Sequence, residues 1–131
     1  DIEYEIDGVK ERGLFSLILI SNANHIAGFN NIYKNVKLDD DKFEIIFCNI
    51  SRRKDLVRSL IMLVKNDITK IPGIYSYTGK NIKIKFYDKP KNNWTIDGEK
   101  YKDLTNDYEI NIEKNMKFLL PKKNLDNLFI K

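Results

Sequence analysis

Period-two alternation, broken by tight-turn dipeptides, is the feature that most limits what this chain can become. Ile2, Tyr4 and Ile6 alternate with Glu3, Glu5 and Asp7, and Ile82, Ile84 and Phe86 alternate with Lys83, Lys85 and Tyr87. Successive side chains on a strand point to opposite faces, so each run has one apolar face and one wet face. Asp7-Gly8 and Asp97-Gly98 favour two-residue type I′ hairpins, in which both central residues need φ > 0. Helical spacing is clear in one place: Leu56, Val57, Leu60, Ile61 and Val64 follow a capping Ser51, which predicts an amphipathic helix over about 52–66. Strands that follow one another through hairpins, without regular βαβ alternation, predict a mainly β fold. The expected architecture is a two-sheet β-sandwich carrying that single helix.

Further strands follow from the same reasoning. Leu14 to Ser21 is almost continuously apolar and reads as a strand buried on both faces, joined to the first by a hairpin. Phe43–Ile50, Trp94–Ile96, Glu99–Tyr101, Tyr108–Ile112 and Met116–Leu120 complete the set, and Pro121 stops the last. Residues 22–41 are rich in Asn, Gly and Asp, the composition of an irregular working loop. At 131 residues, with 42% apolar and 32% charged residues, the chain is expected to form one domain, 1–131, with a real core.

Composition removes several classes of function. A single cysteine, Cys48, and a single histidine, His25, cannot supply an internal disulfide or a His/Cys zinc centre. Cys48 reads as a small core hydrophobe and His25 as a structural loop residue. The longest apolar run, Leu14 to Ile20, contains Ser16 and is far short of the ~20 residues of a membrane-spanning helix. Asp1 follows no signal-peptide pattern, so a cytoplasmic setting is expected. The sequons at Asn49 and Asn93 then have no meaning, and a start without methionine suggests a piece of a longer protein. Net charge is +4 with pI near 9.0, which leaves nucleic acid and anionic membrane open as partners. Arg52, Arg53 and Lys54 form either a solvated face or a contact with an anionic surface. Gly73 to Asn81 imitates a phosphate loop, but five residues separate its glycines and Asn81 stands where Ser/Thr would bind magnesium. It is rejected as one.

Two acidic clusters remain. Asp39-Asp40-Asp41 is either a solvated turn or a source of oxygen ligands for a hard cation. Asp97-Gly98-Glu99 is a hairpin signal followed at once by a second carboxylate, beside Trp94 and Tyr101. Partial desolvation there would raise Glu99 toward the range of a general base.

Taken in order, the strand ending Phe15-Ser16-Leu17-Ile18-Leu19-Ile20-Ser21-Asn22, then Ala27-Gly28-Phe29, Leu38-Asp39-Asp40-Asp41-Lys42-Phe43-Glu44-Ile45, the Ser51–Val64 helix and Asp97-Gly98-Glu99 form a pattern. It resembles the C-terminal domain of the diacylglycerol kinase catalytic-domain family, the soluble bacterial lipid kinases related to sphingosine and ceramide kinases. The resemblance implies that ATP is held mainly by a missing N-terminal domain bearing a Gly-Gly-Asp-Gly signature. This chain would be the lipid-binding β-sandwich, inactive alone, with residues 122–131 returning toward that domain. It further implies that Glu99 accepts the proton of a lipid hydroxyl with Asp97 as its partner. Asp40 would hold Mg²⁺ together with the backbone carbonyls of Lys37 and Lys42. The family commonly has glycine where Asp41 stands, and glycine adopts φ > 0 more readily than Asp. The implied reaction is transfer of the ATP γ-phosphoryl group to diacylglycerol or a related lipid, at the cytoplasmic edge of an anionic membrane. A homodimer is left open. The competing reading is a β-barrel for single-stranded nucleic acid using Lys83, Lys85, Lys89, Tyr87, Trp94 and Tyr101; a non-catalytic interaction domain is a third.

Overall fold

The Asp7-Gly8 pair makes the turn its sequence asks for. Asp7 at φ 47° and Gly8 at φ 89° both lie in the left-handed region, and they join two antiparallel strands in register from Ile2↔Gly13 to Ile6↔Val9. The computed structural model describes residues 1–22, 25–26, 29–30, 41–50, 54–55, 71–90, 92–102 and 104–113. In chain order these hold β1 (Ile2–Ile6), β2 (Val9–Gly13), β3 (Leu17–Ser21), β4 (His25–Ile26), β5 (Phe29–Asn30), β6 (Phe43–Cys48), β7 (Ile74–Gly79), β8 (Asn81–Phe86), β9 (Thr95–Ile96), β10 (Glu99–Lys100) and β11 (Asp107–Asn111). All their pairings are antiparallel, and among the described residues no sheet closes into a barrel. The mainly β reading therefore holds. The chain divides into two compact units interleaved in sequence, residues 1–14 with 81–111, and residues 15–80 with 112–131.

The first unit is a four-stranded sheet of order β11-β8-β1-β2. Its register puts Ile2, Tyr4 and Ile6 opposite Phe86, Ile84 and Ile82, and Tyr108 and Ile110 opposite Ile84 and Ile82. Ile2, Tyr4, Ile6, Ile82 and Ile84 are buried, and burial of each such side chain is worth about 1.5–3 kcal/mol. Tyr4, the polar member of this face, donates its hydroxyl to the carboxylate of Glu11, as a buried phenol requires. Asp7 also ties the sheet's end: its Oδ1 accepts from the backbone N–H of Asn81 at 2.9 Å and from the Asn81 side chain at 3.3 Å.

The opposite face carries charges whose sign changes strand by strand. Lys10 and Arg12 on β2 lie beside Glu5 and Glu3 on β1. These lie beside Lys83 and Lys85 on β8, which lie beside Glu109 and Asp107 on β11. Two cross-strand rows result, Lys10–Glu5–Lys83–Glu109 and Arg12–Glu3–Lys85–Asp107. The Lys10 ammonium is 3.5 Å from the Glu5 carboxylate. Arg12 holds Asp1 with two hydrogen bonds of 3.1 and 2.6 Å and lies 4.0 Å above the Tyr87 ring. Opposite charges placed directly across a sheet stabilise it by about 0.2–1 kcal/mol per pair. This explains β2, a strand that alternation does not reveal: Val-Lys-Glu-Arg-Gly is exposed almost throughout and is fixed by its turn and its charged partners.

The second unit contains the sheet β3-β6-β7. Its central strand supplies the core, with Ile45, Ile46, Phe47 and Cys48 all buried. Phe15 stacks on Phe47 at 4.8 Å, and Tyr77 meets Phe47 edge-on at 5.8 Å. Ser16 bridges to the strand's end: its hydroxyl donates to the Cys48 carbonyl at 3.0 Å and accepts from the Ile50 N–H at 3.2 Å. Leu14–Ser21 is therefore not one strand buried on both faces. The strand begins at Leu17, Leu14 and Leu17 are exposed, and among the described residues it lies at the edge of its sheet, paired with β6 rather than with β1. The rejected phosphate-loop imitation is β7 and its turn into β8. Pro72-Gly73 forms a turn closed by the Ile74 N–H on the Ile71 carbonyl at 3.1 Å. With Gly73 at φ 83° after a proline, it has the type II pattern.

Within the expected working loop, β4 and β5 pair through His25↔Asn30 and Ile26↔Phe29, so part of that segment is a short hairpin. Lys54 and Asp55 are helical, while the rest of the predicted 52–66 helix lies outside the described residues. So do Met116–Leu120 and residues 122–131.

Candidate functional site

The second Asp-Gly pair builds the hairpin that carries the expected carboxylate. Asp97 at φ 49° and Gly98 at φ 89° form the type I′ turn between β9 and β10, with Ile96 opposite Glu99 and Thr95 opposite Lys100. The Tyr101 N–H donates to the Trp94 carbonyl at 2.8 Å, extending the ladder by one pair. Because directly opposed residues share a face, Trp94, Ile96, Glu99 and Tyr101 lie on one side of the ribbon and Thr95 and Lys100 on the other. Glu99 thus stands among apolar neighbours, with Ile96 55% and Tyr101 42% exposed.

Asp97 and Glu99 come together on this hairpin, and both are exposed. The burial of Glu99 against Trp94 expected from the sequence is absent, because the Trp94 ring turns to the sheet instead. It sits edge-on to Tyr108 at 5.4 Å and to Phe86 at 6.5 Å, and those two rings meet at 5.8 Å. Asp97 has a conformational task, since it supplies the left-handed residue the turn needs. The position that sequence reasoning undervalued is Trp94 itself, whose ring ties the hairpin to β8 and β11. Its signal was a large aromatic three residues before the Asp97-Gly98 turn.

Of the expected metal ligands, Lys37 and Asp40 lie outside the described residues. Lys42 is described and exposed, and it belongs to the other compact unit. Asp41 has φ 55°, so the left-handed backbone that glycine would provide there is adopted by aspartate, one of the side chains that tolerates it. The backbone at Asp41 is therefore compatible with the loop that the resemblance implies. Among the described residues no group of three or more His, Cys, Asp or Glu side chains is placed to hold a metal ion. Cys48 is buried, and desolvation pushes its thiol pKa up, the behaviour of a core residue rather than a nucleophile.

Four of the residues named for nucleic acid have partners within the fold. Lys83 and Lys85 each lie between two carboxylates, Trp94 is packed into its ring cluster, and the Tyr87 hydroxyl donates to Glu3 at 3.2 Å. The charged face of the sheet forms an open hollow of about 380 Å³ in which positive and negative groups alternate. Glu99 does not line it.

The fold is also found in solved structures. A "putative diacylglycerol kinase" from Bacillus anthracis superposes with TM-score 0.61 at 17% identity, over 84% of this chain and 35% of that one. A second structure so described, from the same organism, gives TM-score 0.55 at 19% identity over 69% of this chain and 31% of that one. In sequence, the chain is similar over nearly its whole length to diacylglycerol kinases. It is 26% identical over 122 residues to that of Staphylococcus epidermidis, covering 93% of this chain and 38% of the relative. It is 21% identical over 128 residues to that of Bacillus subtilis, covering 98% of this chain and 41% of the relative. The resemblance read from the ordered motifs is thus found in both comparisons, and the chain spans about two fifths of the length of these relatives. No protein-family model matches it.

Proposed function

We propose that this chain is the lipid-side part of an ATP-dependent kinase acting on diacylglycerol or a related hydroxyl lipid. The single observation that carries the reading is the hairpin face on which the Glu99 carboxylate stands between exposed Ile96 and Tyr101. A hydroxyl lipid presents the complementary pattern, one reactive O–H next to hydrocarbon. Glu99 takes the hydroxyl proton, the freed oxygen attacks the γ-phosphorus, and the bond to the β-phosphate oxygen breaks to release ADP. Such transfers depend mainly on placement and charge neutralisation. ATP would be held mainly by polypeptide outside this chain, and a Mg²⁺ ion would supply neutralisation of phosphate charge. Asp40 and the carbonyls of Lys37 and Lys42 are the residues offered for a metal here.

An exposed carboxylate is a poor base until something covers it. The covering surface is supplied by the lipid and by polypeptide beyond this chain, in keeping with relatives more than twice its length. Docking onto an anionic membrane follows from the substrate. Among the described residues no helix is long and apolar enough to cross one. The nucleic-acid reading is weakened by the fold, because Lys83 and Lys85 stand in register with a carboxylate on either side.

The test is transfer of labelled γ-phosphate from ATP to diacylglycerol in mixed vesicles by the whole polypeptide. Labelled phosphatidic acid is the expected product. Efficient labelling of a water-soluble alcohol with none of the lipid would refute the reading, and so would salt-sensitive oligonucleotide binding without lipid turnover.

A further inference from the structure

The hairpin that carries Glu99 has almost nothing of its own to keep it in place. Thr95 to Lys100 are all exposed, β9 and β10 pair through only two registered positions, and an isolated two-stranded ribbon is marginal in water. What ties it down among the described residues is its base. The Asn93 side-chain amide donates to the Tyr101 carbonyl at 2.7 Å. The Tyr101 N–H donates to the Trp94 carbonyl at 2.8 Å. The Trp94 ring packs edge-on against Phe86 of β8 and Tyr108 of β11, and the Tyr108 hydroxyl accepts from the Thr105 N–H at 3.1 Å. Trp94, on one side of the hairpin's mouth, is therefore packed against the four-stranded sheet, Tyr101 on the other side is held to Trp94 and Asn93, and everything beyond projects from that point.

We propose that Asn93 and Trp94 are positioning residues: a latch that sets the location of the Glu99 carboxylate relative to the lipid hydroxyl, without either touching substrate. The kinetic part of this inference rests on the reading of Glu99 given above; the mechanical part does not. Glu99 is five residues from Trp94, across a two-residue turn, so a small rotation at the mouth is amplified at the carboxylate. A misplacement of about 1 Å costs on the order of a hundredfold in rate when a reacting group must be aligned. The Trp94 indole N–H has no role in the latch, which uses the ring and the backbone carbonyl. Phenylalanine is therefore expected to substitute for it.

The experiment compares Trp94→Ala, Trp94→Phe, Asn93→Ala and Glu99→Gln in the whole polypeptide, by amide hydrogen exchange and by steady-state kinetics. Trp94→Ala and Asn93→Ala are expected to speed exchange at Ile96, Glu99 and Tyr101 by about tenfold or more while Ile82 and Ile84 keep their protection. Their kcat for lipid should fall by about tenfold or more with the KM for ATP unchanged. Trp94→Phe should keep both near wild type. Glu99→Gln removes the base and leaves the latch, so it should exchange like wild type; full activity in that variant would sink the base and leave the latch standing. Unchanged hairpin exchange in both alanine variants would overturn the latch itself. A loosened hairpin with undiminished kcat would overturn its positioning role.

Discussion

Lys83→Glu tests the charge ladder that organises the first unit. Lys83 lies between Glu5 of β1 and Glu109 of β11, so the substitution removes two opposite-charge neighbours and creates two like-charge ones. A registered pair is worth about 0.2–1 kcal/mol, and a like pair costs a similar amount. Changing two pairs from one sign to the other therefore amounts to about 0.8–4 kcal/mol, and exposure of the side chains puts the expected loss in the lower half of that range. Lys83→Gln, which loses the favourable pairs without adding repulsion, should cost about half as much. Adding Glu109→Lys to Lys83→Glu restores one favourable neighbour and should recover a corresponding share. The assay is the urea midpoint at about 0.1 M and about 1 M salt, where the screening length falls from about 10 Å to about 3 Å. The penalty should shrink by more than half at the higher salt. A Lys83→Glu variant as stable as wild type at low salt, or a penalty indifferent to salt, would refute the reasoning and return Lys83 to the role of a free cation.

Two other outcomes follow from local geometry. Gly73→Ala would put a Cβ 2.5 Å from the Asn49 carbonyl oxygen at a residue with φ 83°, a backbone clash that side-chain movement cannot relieve. A loss of about 2–4 kcal/mol in urea unfolding is expected, and a loss below about 0.5 kcal/mol would contradict the turn geometry. Cys48, raised by desolvation, should resist alkylation in the folded protein. A group whose pKa is higher folded than unfolded contributes stability that is complete below its unfolded value, about 8.5 for a thiol, and lost as pH rises through the folded value. Wild type should therefore lose more stability than Cys48→Ala between about pH 8 and pH 10, and parallel pH profiles would refute it.

The parts of the fold that were legible in sequence are those written in local chemistry. Both Asp-Gly pairs form the left-handed turns they encode, and alternation at Ile2–Ile6 and Ile82–Phe86 marks the apolar face of the sheet. What escaped is not written in apolar alternation. β2, at the sheet's edge among the described residues, is polar, and its identity lies in cross-strand charges from β1. The Leu14–Ser21 run misled because an apolar stretch does not say whether its strand is central or at an edge. At the site, the hairpin and its Glu99 were readable from Asp97-Gly98-Glu99. The burial expected of Glu99 was not realised, because a tryptophan beside a turn can pack toward the hairpin or toward the sheet, and only the distant Phe86 and Tyr108 decide which.

The central claim is that Glu99 accepts the proton from a lipid hydroxyl. The most direct test is kcat for diacylglycerol phosphorylation by Glu99→Gln in the whole polypeptide, at saturating ATP and lipid, beside Glu99→Asp. Glutamine keeps the size of the side chain on its exposed hairpin and removes its basicity. The account predicts a fall of about 10²- to 10⁴-fold for glutamine and a smaller one for aspartate. Turnover by Glu99→Gln at the wild-type rate would contradict it.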